Sequence, residues 1–368
     1  MLTDLLAYAQ FAPDFSTLDL THTERVVLAV SGGGDSAALL YAFHAHWTRG
    51  LGRRADQLMA ATVNHRVRAD AAREAQAVAA WCEAMGMPHR TLVWTDPQPV
   101  GGFQEAARKA RYRLLAEASQ EFGSSVVLTG HTVDDQLETI AMRRARSESS
   151  DAPGLAGIAP ATLYERQVWF ARPLLNARRD DLRAYLSAHG LDWFDDPSNA
   201  DARFERVRVR HAGATVPSGA LSQAEEVAKA RMRRARETAK WLLCHARVSG
   251  IDDHRFQANV PIGDADNEPA KNALAVLIML VGNQRHQPDP AGLSRGLEIL
   301  AARSGNQFTL GGCILRCADD HIFIQPEVRN TRTNGFAFDH LTTVWDLDVL
   351  DALDRLRSDP PVARPPVR

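Results

Sequence analysis

The chain has 368 residues, 45% hydrophobic and 24% charged, which suffices for one large core or two modest ones and excludes a disordered polymer. A formal net charge of -2 and a pI near 6.7 exclude nucleic-acid binding through overall charge, so any such contact needs a local basic patch. Cys82, Cys244, Cys313 and Cys317 do not match a paired metal-ligand pattern, and a reduced, cytoplasmic setting is expected. No basic segment leads into an apolar stretch near Asp4, and the longest apolar run, 273–281, is too short to span a bilayer, so neither a secretory signal nor a membrane role is expected.

From Arg25 to about Gly190, short β-branched runs alternate with amphipathic stretches, the pattern of a doubly wound parallel sheet in an α/β fold. Strands are predicted over 25–31, 57–65, 89–94 and 125–131, with helices over 36–47, 69–85, 103–122 and 133–146. In such sheets the ligand lies beyond the carboxyl ends of the strands, near the point where strand order reverses. Ser31, His65 and His131 close three of these strands, so residues distant in sequence should meet at one edge. A polar loop over 147–153 precedes a strand over 167–171, a helix over 176–189 and the turn cluster Asp195, Asp196, Pro197, Ser198 and Asn199. Beyond a boundary at 212–219, the pattern predicts a long helix over 222–245, an apolar helix over 270–281 and strands within 306–326. The expected organisation is a larger α/β domain over 1–215, a smaller helical and α+β region over 216–345, and a partly disordered, proline-rich tail over 346–368.

Ser31, Gly32, Gly33, Gly34, Asp35 and Ser36 join a buried strand to a helix, where backbone amides can hold phosphate oxygens. A Walker A loop is excluded because the chain has no Gly-Lys dipeptide. A dinucleotide fingerprint requires an acid at the end of the second strand, where Asn64 and His65 stand. A glycine turn that merely packs helix on sheet remains an alternative, as does a macrodipole role for Asp35. Ser-Gly-Gly-Gly-Asp-Ser after a Val-rich strand resembles the PP-loop of the ATP pyrophosphatases. That resemblance implies cleavage of ATP between the α and β phosphates, with 31–36 cradling pyrophosphate, Asp35 helping to hold Mg²⁺, and His65 and His131 at the nucleotide edge.

Asp134, Asp135 and Glu138 stand at i, i+4 and i, i+3 spacing, so all three carboxylates can share adjoining helix faces, although Thr132 with Asp135 also reads as a capping box. Over nearly the whole first domain the chain resembles the tRNA(Ile)-lysidine synthetase family. The resemblance rests on 106–112 (Ala-Ala-Arg-Lys-Ala-Arg-Tyr), 131–139, Arg172-Pro173-Leu174-Leu175, and Asp196-Pro197-Ser198-Asn199 followed by Phe204, Arg206 and Arg210; 305–327 resembles the family more weakly. Three places depart from the family pattern: Val63-Asn64-His65-Arg66, Thr132-Val133, and 147–150.

The resemblance implies ATP-dependent ligation of free L-lysine to C2 of the wobble cytidine of tRNA(Ile) bearing a CAU anticodon, through an adenylated RNA, with AMP and pyrophosphate released. It places Arg111 near the nucleotide phosphates, Asp135 and Glu138 at the lysine site, and Arg206 or Arg208 on the reacting groups or RNA. ATP and Mg²⁺ are the implied cofactors, and the tRNA(Ile) anticodon stem-loop is the implied partner. A homodimer is compatible with this reading.

Between Arg203 and Arg247 there are eleven Lys or Arg against four Glu, densest at Arg231, Arg233, Arg234 and Arg236. Alone this run reads as a solvated helix face; beside a PP-loop it reads as an RNA contact. Cys313 and Cys317 fit a packed strand better than a metal site. The rival readings are another PP-loop enzyme, such as a tRNA thiolase or an amide-forming synthetase, and an inactive RNA-binding protein.

Overall fold

A computed structural model describes residues 13–66, 71–96, 101–146, 153–195, 208–209, 217–249, 257–261, 263, 267–282, 284, 286–302, 305–327, 341–357 and 365–367. The chain divides into two compact units, Met1–Val227 with Arg364–Arg368, and Ala228–Ala363.

The first unit is built on β1 (Val26–Ala29), β2 (Leu58–Asn64), β3 (His89–Val93), β4 (Val126–Thr129), β5 (Ala161–Tyr164) and β6 (Val168–Ala171), arranged in the order β5-β6-β4-β1-β2-β3. All neighbours pair in parallel except β5 with β6. Strand β1 is buried along its whole length, and the strand period of two sends its residues to opposite faces. Val26, Leu28 and Val30 pack in one core with Leu39, Leu40, Phe43 and Trp47; Val27 and Ala29 pack in another with Tyr112 and Leu115. Helices α1 (Gly34–Ala45), α2 (Ala71–Ala84), α3 (Phe103–Glu121), α4 (Val133–Arg144) and α5 (Arg179–Ala188) accompany this sheet. The chain runs outward through β1, β2 and β3, then returns to place β4 on the other side of β1. This reversal opens a crevice at the carboxyl ends of β1 and β4, where Ser31 and His131 follow.

In the first unit, two elements differ from the sequence reading. Strand β5 was not anticipated, and the helix expected from 176 starts at Arg179, because 173–176 form a turn.

In the second unit, the helix α6 (Ala220–His245), which begins in the first, leads to β7 (Arg247–Ser249) and β8 (Gln257–Pro261). Helices α7 (Glu268–Val281) and α8 (Pro290–Ala302) and strands β9 (Gln307–Leu310), β10 (Cys313–Ala318) and β11 (His321–Pro326) follow, and the sheet order is β7-β8-β11-β10-β9, antiparallel throughout. Cys313, Leu315 and Cys317 alternate into the core beside Ile322 and Ile324. Both cysteines are free thiols, and burial pushes that of Cys313 up to about 12. A last helix, α9 (Leu347–Arg357), lies in the stretch expected to be tail; most of 358–368 lies outside the described residues. Among the described residues no helix is long and apolar enough to cross a membrane.

Candidate active site

The loop after β1 is shaped by its own hydroxyls and by the chain on either side. Ser36 Oγ donates to Gly33 O at 2.9 Å and accepts from the Ser31 amide at 3.1 Å, and the Ser31 and Ser36 hydroxyls lie 3.1 Å apart. Gly32 has φ +90°, a left-handed conformation, and a Cβ there would stand 3.2 Å from Phe194 Cδ2. The Phe194 amide donates to Gly32 O at 2.9 Å, so the segment after α5 braces the loop from outside. Gly33 caps α1 with no side-chain hydrogen bond, which leaves first-turn amides able to face an anion.

Gly130, not singled out in the sequence, fixes the other wall. A Cβ at this position would lie 2.9 Å from Asp35 O and 3.2 Å from Ser36 N, both backbone atoms. Gly130→Ala is therefore expected to displace the start of α1, costing roughly 1–3 kcal/mol of stability and weakening nucleotide binding, as thermal unfolding and ATP titration would measure.

Asp35, Asp135 and Glu138 converge on a residue that the sequence reading missed. The Arg179 guanidinium places Nε 3.1 Å from Asp35 Oδ2, Nη2 3.5 Å from Asp135 Oδ1 and Nη1 3.6 Å from Glu138 Oε1. Desolvation raises the pKa of Asp35, while Arg179 opposes that rise. Asp35 Oδ1 is buried with no hydrogen-bond partner among the described residues. A hard oxygen so placed is of the kind a divalent cation such as Mg²⁺ takes, and since no three acidic, His or Cys side chains among the described residues form a metal cluster, further ligands would have to come from bound phosphate or water.

The other acids of α4 have structural duties. Asp135 Oδ2 accepts from the Thr132 amide at 2.9 Å and lies 3.1 Å from the Thr132 hydroxyl, and Thr132 Oγ1 accepts from the Asp135 amide at 3.4 Å, so the capping box forms. Asp135 thus caps its own helix through one oxygen and faces Arg179 with the other. Asp134 does not complete the trio of carboxylates expected from spacing. Its Oδ2 accepts from the Arg179 amide at 2.8 Å, the first amide of α5, where a negative charge suits the helix macrodipole.

Arg111 on α3 keeps an exposed surface, yet its guanidinium is crowded enough by protein that desolvation lowers its pKa, and it lies within electrostatic reach of both Asp135 and His65. Burial lowers the pKa of His65, with a further contribution from the Arg111 charge, and the ring meets Trp94 edge-on at 5.7 Å. His131 Nδ1 lies 2.9 Å from Thr129 Oγ1. Arg206 lies outside the described residues, as do 147–152 and 196–205; Arg208 is exposed.

Of the four arginines on α6, Arg231 is engaged within its own unit. It forms a forked pair with Asp346, Nε to Oδ1 at 2.9 Å, and lies 5.4 Å from the centre of the Trp345 ring. Arg236 approaches Asp348 at 3.6 Å but is exposed, and Arg233 and Arg234 are also exposed.

A family model described as a PP-loop domain matches residues 7–214. The tRNA(Ile)-lysidine synthase of Mesorhizobium japonicum is 39% identical over 337 residues, 90% of this chain and 73% of that protein. That of Rhizobium meliloti is 37% identical, over 83% of this chain and 68% of its own. Among solved structures, the U34-tRNA thiolase NcsA from Methanococcus maripaludis covers 63% of this chain and 78% of its own at 15% identity, with a TM-score of 0.46. The chain belongs to the tRNA(Ile)-lysidine synthase family of PP-loop proteins, ligases that form a C–N bond.

Proposed function

We propose that this protein ligates lysine to C2 of the wobble cytidine of tRNA(Ile) with a CAU anticodon, in two steps. The observation that carries the reading is the meeting of Asp35, Asp135 and Glu138 beside a glycine loop at the sheet's switch point. In the first step the cytidine O2 attacks the α-phosphorus of ATP, the bond to the β-phosphate oxygen breaks, and pyrophosphate leaves. In the second, the lysine ε-nitrogen attacks C2, the C2–O bond breaks, and AMP leaves. Mg²⁺ held at Asp35 would supply countercharge to the phosphates. Residues 31–36 hold the pyrophosphate, and Arg111, cationic at every working pH, faces the charge that builds on the α-phosphate.

A lysine amine with pKa near 10.4 is neutral in only roughly one molecule in a few thousand at pH 7, so the site must take up a proton as attack proceeds. Glu138 suits that task better than Asp135, because one Asp135 oxygen is committed to the capping box. The thiolase alternative lacks support from Cys82, which is buried, with its thiol pushed up to about 12 by that burial. The deciding experiment is pyrophosphate release from ATP with a panel of tRNAs, with and without lysine. Release with tRNA(Ile) alone, and AMP formation completed only by lysine, is expected; turnover indifferent to tRNA identity and to lysine would overturn the reading.

The basic face of α6 is proposed to contact RNA through Arg233, Arg234 and Arg236, whereas Arg231 serves packing. Neutralising the three exposed arginines should weaken tRNA binding and flatten the slope of log affinity against log salt by roughly 0.7–0.9 for each phosphate no longer neutralised. An unchanged slope would return these arginines to a solvated surface. Arg231→Ala should instead lower the melting temperature, because it removes the forked partner of Asp346 and leaves that carboxylate the Thr343 hydroxyl.

A further inference from the structure

Arg179 has no part in the chemistry derived above, yet its guanidinium touches all three carboxylates on which that chemistry depends. The contact is shared, not committed. Only the 3.1 Å approach to Asp35 has hydrogen-bond length, and the pairs with Asp135 and Glu138, at 3.5 and 3.6 Å, lack the parallel fork that makes Arg–carboxylate pairs strong. The backbone at the same residue is tied independently: its amide donates to Asp134. The helix start is therefore held by a contact that does not involve the side chain.

A divalent metal and a lysine ammonium are drawn to the same oxygens by the same charge. Withdrawing the Arg179 charge from beside the three carboxylates would leave an arriving cation with less competition for their oxygens. We propose that Arg179 is a positioning residue that stands in for the cationic ligands, gathering Asp35, Asp135 and Glu138 before the metal and amine arrive and competing with both for those oxygens. The inference rests on the proposed function, which assigns these carboxylates to metal and amine.

The test is Mn²⁺ titration of the full chain, without nucleotide, followed by the electron paramagnetic resonance of free Mn²⁺. Arg179→Ala and Arg179→Gln should bind Mn²⁺ roughly tenfold or more tightly than the parent, since each removes a positive charge whose nitrogens lie 3.1 to 3.6 Å from the carboxylate oxygens. Arg179→Lys, which keeps the charge, should retain the parent affinity. A merely structural arginine predicts the opposite, weaker binding with a lowered melting temperature. Equal or weaker Mn²⁺ binding by the folded Gln variant, or an Arg179→Lys protein that behaves like the Gln variant, overturns the proposal. Adding Asp35→Asn to Arg179→Ala separates the two levels: if the tightened binding survives, the metal does not sit on Asp35, and the metal assignment fails while the competition by Arg179 stands.

Discussion

Asp35→Asn is expected to abolish conversion of ATP to pyrophosphate, by at least about two orders of magnitude in kcat, while the protein stays folded. The Oδ1 atom is buried without a hydrogen-bond partner among the described residues, and Oδ2 is held by Arg179. Asn keeps the volume but removes the charge that a hard cation requires. Stability should move the other way. Desolvation raises the folded-state pKa of Asp35 above its unfolded value, so its stabilising contribution is present at acid pH, below the unfolded pKa, and is lost as pH rises through the folded pKa. At neutral pH the ionised carboxylate is thus a cost that Asn does not carry. The variant should melt at or above the parent temperature at pH 7, with the difference shrinking toward about pH 4. Near-normal pyrophosphate release from a folded Asp35→Asn protein would remove Asp35 from the site.

The nucleotide half of the fold is legible in the sequence because parallel strands covered on both faces read as continuous apolar runs. Val26–Ala29 and Val126–Thr129 fall within the ranges their composition predicts. Strand β5 escapes notice because the hairpin joining it to β6 turns at Glu165 and Arg166, both at positive φ, where Gly or Asn would have announced the turn. The acidic cluster was half legible. Spacing alone brings Asp134 and Glu138 together, but Asp134 is drawn off by an amide 45 residues later, a contact that only topology supplies.

Arg179 was missed because Arg178-Arg179-Asp180-Asp181 reads as a charged helix start, and its partner Asp35 is 144 residues away. One local signal was available. Two arginines at a helix N-terminus oppose the macrodipole, and a residue that breaks a local rule calls for a partner elsewhere. In the second unit, helices α8 and α9 and strands β7 and β8 went unread, since β7 and β8 are only three and five residues long and carry too few positions for periodicity to show, and both helices bury their apolar residues in a core assembled from distant segments.

Glu138→Gln should slow the lysine-dependent step by about two to three orders of magnitude and leave adenylation much closer to the parent rate, so that adenylated RNA accumulates. Glu138 stands one turn beyond Asp135 on α4 and is 4% exposed, with Oε1 3.6 Å from Arg179 Nη1. A charge so buried is costly unless a cation answers it, and an incoming ε-ammonium can do so where the guanidinium now stands. Gln keeps the shape of the side chain but neither answers an ammonium nor accepts its proton. Asp135 is a poor substitute, because its second oxygen holds the capping box and helix α4 with it. Rapid-quench assays with labelled ATP would separate the two steps, pyrophosphate release marking the first and AMP release on addition of lysine the second. If both slowed equally, Glu138 would belong with Asp35 at the metal, and the amine would have to be received elsewhere on the crevice.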